Sequence, residues 1–382
     1  MPKILFVDHT GAIGGAELVL LEMATACRDD CTVLLFDDGP FHDRLRERGV
    51  RVEIVPGQRL HRTRREDRLP RIGSIYDALR LAARIVPIVR RHECVYAHSQ
   101  KGFVVGALAG VLARRPVVWD LNDLMIPEHF SAFNINIGVF LANHVARRVI
   151  ANSKASAIAL ARHGAVAAKI HVLYNGIDDV PFDLIGDVDI AAARHEFGLE
   201  GATVVGVFGR LAEWKGQHVA LEALRLLPGV HLLIVGDALF GEDRYAASLR
   251  EQARRSGVAG RVHFAGFRRD IPLLMRAVDI VAHTSIAPEP FGRVIVEGML
   301  ARRPVIATRG GGVDEIVEPG ETGILVTPGD AAELAEAIGG LAAGPDIRRR
   351  LAEAGRDAAV RRFSQAAMLH GMRAHIDGVL AA

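Results

Sequence analysis

Three cysteines in 382 residues, Cys27, Cys31 and Cys94, are too few and too odd in number for a disulfide framework, and no paired C-x-x-C units exist to build a zinc site. A reducing cytoplasm is the expected compartment. Aromatic residues make up only 5 %, and Lys plus Arg exceed Asp plus Glu by just 47 to 45, so the net charge of +2 offers no general attraction for nucleic acid. No apolar run approaches the about 20 residues that a membrane helix needs. The most apolar helical stretch, residues 103–113, is far shorter. The opening KILFV lacks the charged start, long apolar run and small-residue cleavage site of a signal peptide. Neither half carries a complete G-x-G-x-x-G or a G-x-x-x-x-G-K-[ST], which weakens a dehydrogenase and removes direct support for a P-loop NTPase.

What is plentiful is glycine, 39 residues, in a chain that is half hydrophobic, the balance of an α/β protein with many tight strand-to-helix turns. The length exceeds one hydrophobic core and suggests two domains. Short β-branched runs alternate with helical patterns: KILFV, CTVLLF, VRVEIV, CVYAH and PVVWDL, then from residue 203 TVVGVFG, HLLIVGD, RVHFAG, DIVAHTS, PVIAT and GILV. That alternation predicts two parallel sheets, each covered on both faces. Residues 175–189, with one Pro and five acidic residues, read as the linker, giving domains at 1–180 and 190–363. Residues 364–382 form a last helix that returns to brace the first domain. A cleft between the halves is the expected ligand site. Residues 59–71, bounded by Arg59 and Arg71, carry six arginines. They read either as a solvated loop or as a peripheral contact with anionic lipid headgroups on the inner membrane face.

Three groups of residues can carry chemistry. Asp8 to Glu17 contains Gly11, Gly14 and Gly15 ahead of a helix; a phosphate loop and a tight structural turn would need the same glycines. Arg210 and Lys215 follow TVVGVFG, where parallel sheets bind ligands, and their guanidinium and ammonium groups suit a diphosphate. Glu289 lies in a Pro/Gly turn. Glu297, eight positions on, falls among Val294, Ile295, Val296, Met299 and Leu300; either it faces solvent from an amphipathic helix or something polar meets it.

Taken together, these groups supply donors for phosphates and acceptors for sugar hydroxyls, and here the chain resembles the retaining glycosyltransferases of the GT-B fold, specifically the group-4 family (glycosyl transferases group 1). The resemblance runs nearly the whole length: GGAE at 14–17, YAHSQKG at 96–102, IANSKA at 150–155, VLYNGID at 172–178, FGRLAEWKG at 208–216, LLIVGD at 232–237, EPFGRVIVEGMLARRPVIAT at 289–308 and GGVDEIVEPGETGILVTPGD at 311–330. It implies an α/β GT-B architecture of two facing Rossmann-like domains. It also implies hexosyl transfer from a nucleotide diphosphate sugar, UDP- or GDP-linked, to a hydroxyl of a glycan, a lipid-linked saccharide or a small molecule. No cofactor, essential metal, nucleic acid or obligate protein partner is implied.

By the same resemblance, Arg210, Lys215 and Glu289 are the catalytic residues, the two cations neutralising charge on the leaving diphosphate. The donor lies against Gly14, Gly15, Gly236, Phe267, Arg268, the backbone of Phe291 and Gly292, Val294, and Glu297, which takes the ribose hydroxyls. His98, Asp120 and Asn122 are acceptor-side candidates. His98 reads equally as a cleft residue and as a buried histidine satisfied by backbone. Asn122 stands where many relatives carry His. The alternatives are a GT-B epimerase and a non-catalytic module that binds nucleotide sugars; the joint presence of Arg210, Lys215, Glu289 and Glu297 argues against degeneration of the site.

Overall fold

A computed structural model describes residues 2–57, 72–238 and 241–381. The arginine-rich stretch 59–71, and with it the proposed membrane contact, lies outside the described residues. The chain divides into two compact units: unit 1 is Met1–Gly176 with Gln365–Ala382, and unit 2 is Ile177–Ser364.

Unit 1 holds seven parallel strands: β1 (Ile4–Asp8), β2 (Cys31–Leu35), β3 (Arg51–Ile54), β4 (Cys94–Ala97), β5 (Val117–Leu121), β6 (Arg148–Ala151) and β7 (Ile170–Val172). Their order is β3-β2-β1-β4-β5-β6-β7. β1, β2, β4 and β5 are buried throughout, because helices cover both faces, and their sequences therefore read as unbroken apolar runs. On one face, Phe103 of the helix Gln100–Ala113 stacks on Trp119 of β5 with ring centroids 4.3 Å apart. On the other, the helices Gly15–Ala26 and Gln365–Leu380 enclose Phe6, Val33 and Tyr96, the last helix contributing Met368, Met372 and Ile376. That helix is also fastened by Arg148, whose Nη1 donates to His375 Nδ1 at 2.9 Å.

Unit 2 repeats the plan with β8 (Thr203–Phe208), β9 (Val230–Val235), β10 (Val262–Gly266), β11 (Ile280–His283), β12 (Val305–Thr308) and β13 (Ile324–Val326), in the order β10-β9-β8-β11-β12-β13. The stretch read as a linker folds with unit 2 from Ile177 onward, as two helices, Val180–Asp183 and Asp187–Glu196. Arg356 explains why. Its guanidinium, nearly buried, donates to Asp179 at 3.2 Å, Asp183 at 2.6 Å and the Leu300 carbonyl at 2.9 Å, so the acidic residues neutralise a buried charge and do not serve as solvated spacer. β6 and β7, four and three residues long, lay outside the alternation read from the sequence, being too short to give a periodic signal. No helix among the described residues is long and apolar enough to cross a membrane.

Candidate active site

Each sheet reverses its strand order once, between β1 and β4 and between β8 and β11. Ligands of open α/β sheets bind outside the carboxyl ends of the strands at such a point, and the polar side chains of both units collect there.

In unit 2 the centre is Glu289, 6 % exposed. Its Oε1 accepts from Lys215 Nζ, from Ser285 Oγ at 2.7 Å and from His283 Nε2 at 3.1 Å. Three elements converge to place these groups. Lys215 ends the short turn Glu213–Lys215 after β8, and His283 ends β11. Glu289 is fixed by its own backbone, whose carbonyl accepts from Gly312 N–H at 2.8 Å. Gly311, at φ 70°, passes so close that a Cβ there would stand 2.0 Å from that carbonyl. Gly216, at φ 68°, plays the same part behind Lys215: a Cβ would lie 1.9 Å from the Thr284 carbonyl. Both approaches exclude any larger residue. Burial alone would push the Glu289 carboxyl up, but the Lys215 ammonium and then His283 more than offset it and hold the carboxyl far below its usual range. Lys215 also lies over the Trp214 ring, 4.1 Å from its centroid.

Arg210 sits in the same loop, its Nη1 3.6 Å from Glu242 Oε2, and its carbonyl accepts from Gln217 Nε2 at 2.9 Å. Gly236, following β9, packs its backbone on that of Gly209, which brings the β8 and β9 turns together. Gly292 caps the helix Arg293–Leu300 in a left-handed conformation. The polar group that meets Glu297 is within its own helix: Arg293 Nε donates to it at 2.7 Å, across one turn. Phe291 turns its ring into the core against Phe363, centroids 5.6 Å apart, so only its backbone faces the turn; Val294 is half-buried. Phe267 is exposed at 58 %. Arg268 is claimed by two carboxylates, Asp270 at 2.7 Å and Glu196 at 2.5 Å, which raise its pKa further.

In unit 1 the centre is His98, 1 % exposed. Nδ1 lies 2.6 Å from Asp120 Oδ2, and Nε2 donates to the Ala16 carbonyl at 2.7 Å, in the first turn of the Gly15–Ala26 helix. Burial opposes the imidazolium, but the Asp120 hydrogen bond and charge prevail and lift the pKa to about 9. Both ring nitrogens are then donors, and the ring is a buried cation that joins the Gly14–Gly15 turn to β5. Gly14 N–H donates to Glu17 at 2.8 Å, and Gly15 is exposed with open space where a Cβ would stand. Asn122 donates to Asp120 at 3.0 Å and accepts from Asn152 and Asn175, both at 3.5 Å. The His98, Asp120 and Asn122 side chains thus form one network.

His283, Ser285 and Glu242 were not singled out in the sequence. The first two close the apolar strand DIVAHTS just ahead of the E-x7-E element, a polar ending that was the available signal. Glu242 left none.

Two Rossmann-like α/β units, each with its polar cluster at the reversal of strand order, define the GT-B class. Within that class, the model of Glycosyltransferase Family 4 matches residues 13–180, and that of Glycosyl transferases group 1 matches residues 189–358. The chain belongs to this group 1/group 4 glycosyltransferase family. The structure of Anabaena Alr3699/HepE in complex with UDP and glucose is similar with a TM-score of 0.92 and 42 % identity, over 99 % of this chain and 100 % of that one. The lipopolysaccharide core biosynthesis glycosyltransferase LpsE of Rhizobium meliloti (strain 1021) is 41 % identical over 167 residues, 44 % of this chain and 47 % of that protein. The D-inositol 3-phosphate glycosyltransferase of Mycobacteroides abscessus is 36 % identical over 200 residues, 51 % of this chain and 44 % of that protein. The match thus spans about half the length of these curated relatives.

Proposed function

We propose that the protein transfers a hexosyl group from a nucleoside diphosphate sugar, with UDP-glucose the first donor to test, to a hydroxyl of a saccharide acceptor, with retention at the anomeric carbon and without an essential metal. The observation that carries this reading is the pairing of Lys215 with the anchored Glu289, with Arg210 in the same loop after β8, at the strand-order reversal of unit 2. The UDP-glucose complex described for Alr3699/HepE, 41 % identical over its full length, supports the donor class. The name of the Rhizobium relative supports a surface saccharide as acceptor.

In the proposed reaction Lys215 and Arg210 stabilise the charge that grows on the departing diphosphate as the bond from the anomeric carbon to its oxygen breaks. The acceptor oxygen bonds to the same face of that carbon, and its proton passes to the departing phosphate oxygen. Glu289 is not a nucleophile in this scheme. Its Oε1 already accepts three hydrogen bonds, a saturation that suits a fixed acceptor for sugar hydroxyls rather than an attacking group. Glu297, paired with Arg293, takes the ribose hydroxyls, and on the acceptor side Asn122, the partly exposed member of its network, is the candidate contact while the buried His98–Asp120 pair supports it.

The test is a melting-temperature screen against UDP, GDP, ADP and their common sugar conjugates without added metal, since a ligand that binds only the folded chain raises the melting temperature. One nucleotide should stabilise selectively, and Arg210→Ala and Glu297→Ala should each abolish the shift. No shift with any of them sinks the reading.

A further inference from the structure

Each cation of the candidate donor site already has a carboxylate. Lys215 bonds to Glu289, and Arg210 Nη1 stands 3.6 Å from Glu242 Oε2. Two positive charges therefore face two negative ones, and an incoming diphosphate meets no net attraction unless one carboxylate withdraws. The two are held very differently. Glu289 is buried, accepts from three side chains and is pinned through its backbone to Gly312. Glu242 has an ion pair too long for a hydrogen bond, and its Oε2, although shielded from solvent, has no hydrogen-bond partner. It lies on the wall of a cavity of about 580 Å³, next to Glu213, His218, Arg244 and Tyr245.

We infer that Glu242 is the displaceable counter-ion of Arg210: it pairs with the guanidinium until the donor diphosphate takes it, and so tunes donor affinity. The inference rests on the reading of Arg210 as a diphosphate ligand. A carboxylate oxygen that is shielded from solvent and makes no hydrogen bond is poorly compensated, and the cavity beside it gives the side chain somewhere to go. Burial first, opposed by Arg210, leaves the Glu242 carboxyl above its ordinary range. Proton uptake as the pH falls therefore frees Arg210 at a higher pH than an ordinary glutamate would allow. The titratable and charged groups around it are Arg210, Glu213 and His218 from the segment after β8, and Arg244 and Tyr245 from the helix Asp243–Arg255. His218 lines the same cavity, so the pH arm compares wild type with Glu242→Gln and does not use wild type alone.

The experiment is calorimetric titration of the full chain with UDP for wild type, Glu242→Gln, Arg210→Gln and the double variant, with circular dichroism as the check on folding. Glu242→Gln should bind UDP about fivefold more tightly, the worth of a partly exposed ion pair. The gain should vanish in the Arg210→Gln background. The rise in UDP affinity on lowering the pH should be steeper for wild type than for Glu242→Gln. Equal or weaker binding by a natively folded Glu242→Gln overturns the inference and makes Glu242 a support for Arg210. Wild type that does not bind UDP at all overturns the donor reading itself, a separate result.

Discussion

The two units place a histidine at the same point of the same topology and then treat it in opposite ways. His98 follows β4 and faces Asp120 on β5; His283 ends β11 and faces Thr308 at the end of β12, 3.3 Å away. In unit 1 the acid is built into the strand and both ring nitrogens are spent on protein groups, so the charge is locked inside. In unit 2 the neighbouring strand offers only a hydroxyl, and the acid, Glu289, comes from the EPFG turn and is shared with Lys215, which keeps 23 % of its side chain exposed. The same fold position thus yields a sealed ion pair in one unit and, in the other, a cation within reach of a ligand. Removing a charge should accordingly cost stability in unit 1 and turnover in unit 2.

The largest effect separates them directly. Asp120→Ala leaves the His98 imidazolium buried without its carboxylate, and urea unfolding should report a loss of about 3–5 kcal/mol. Lys215→Ala should cost less stability than this and leave the chain folded, because Lys215 is partly exposed and His283 and Ser285 still bond to Glu289. Its turnover on the proposed donor should fall about 10²–10³-fold, as when one preorganised donor is removed from a developing negative charge. If Asp120→Ala proves as stable as wild type, or Lys215→Ala unfolds, the contrast between the units is lost.

The pH dependence of stability sharpens the same contrast. His98 is raised from 6.5 to about 9, so its stabilisation is fully present below pH 6.5 and disappears as the pH rises through 9. Unfolding free energy should decline across that window by about 3 kcal/mol, and His98→Gln should flatten the decline. Glu289 works in the other direction. Its carboxyl is held far below the usual range, so its contribution is present above the ordinary glutamate range and is lost only in strong acid. A stability curve that stays flat between pH 6.5 and 9 would show that His98 is not the buried cation described above.

Much of this was legible in the residues. β-Branched runs separated by glycine turns forecast two parallel sheets, because strands buried on both faces have no polar side to show. Arg210 and Lys215 stood out because they follow an apolar strand in a loop flanked by glycines, and Glu289 because it lies in a Pro/Gly turn eight positions before Glu297. Other features were hidden for physical reasons. The Arg356 clamp on Asp179 and Asp183 joins residues more than 170 positions apart, so residues 177–189 carried no sign that they would be anchored. The counter-ion of Arg210 comes from the far side of β9, and no spacing rule connects positions 210 and 242. The sequence leaves open whether Glu297 faces solvent or meets a polar group, and Arg293, one turn earlier on the same helix, is the group it meets.

Arg268 gives the smallest expected effect and the finest cut within unit 2. It was read from the sequence as a donor contact, yet its guanidinium donates to Asp270 through Nε at 2.9 Å and Nη2 at 2.7 Å, and to Glu196 at 2.5 and 3.2 Å. A guanidinium gripping two carboxylates has few N–H groups left for a phosphate. Glu242, by contrast, touches Arg210 through one long ion pair. Freeing Arg268 for a ligand would therefore break four hydrogen bonds to carboxylates, a greater loss than parting Arg210 from Glu242. Arg268→Ala should change the Kd for UDP less than about twofold, within the reach of a surface charge acting at a distance. A loss of tenfold or more in the same titration would mean that donor binding opens the Arg268 cluster, and Glu196→Gln, which loosens that cluster, should then bind UDP more tightly than wild type.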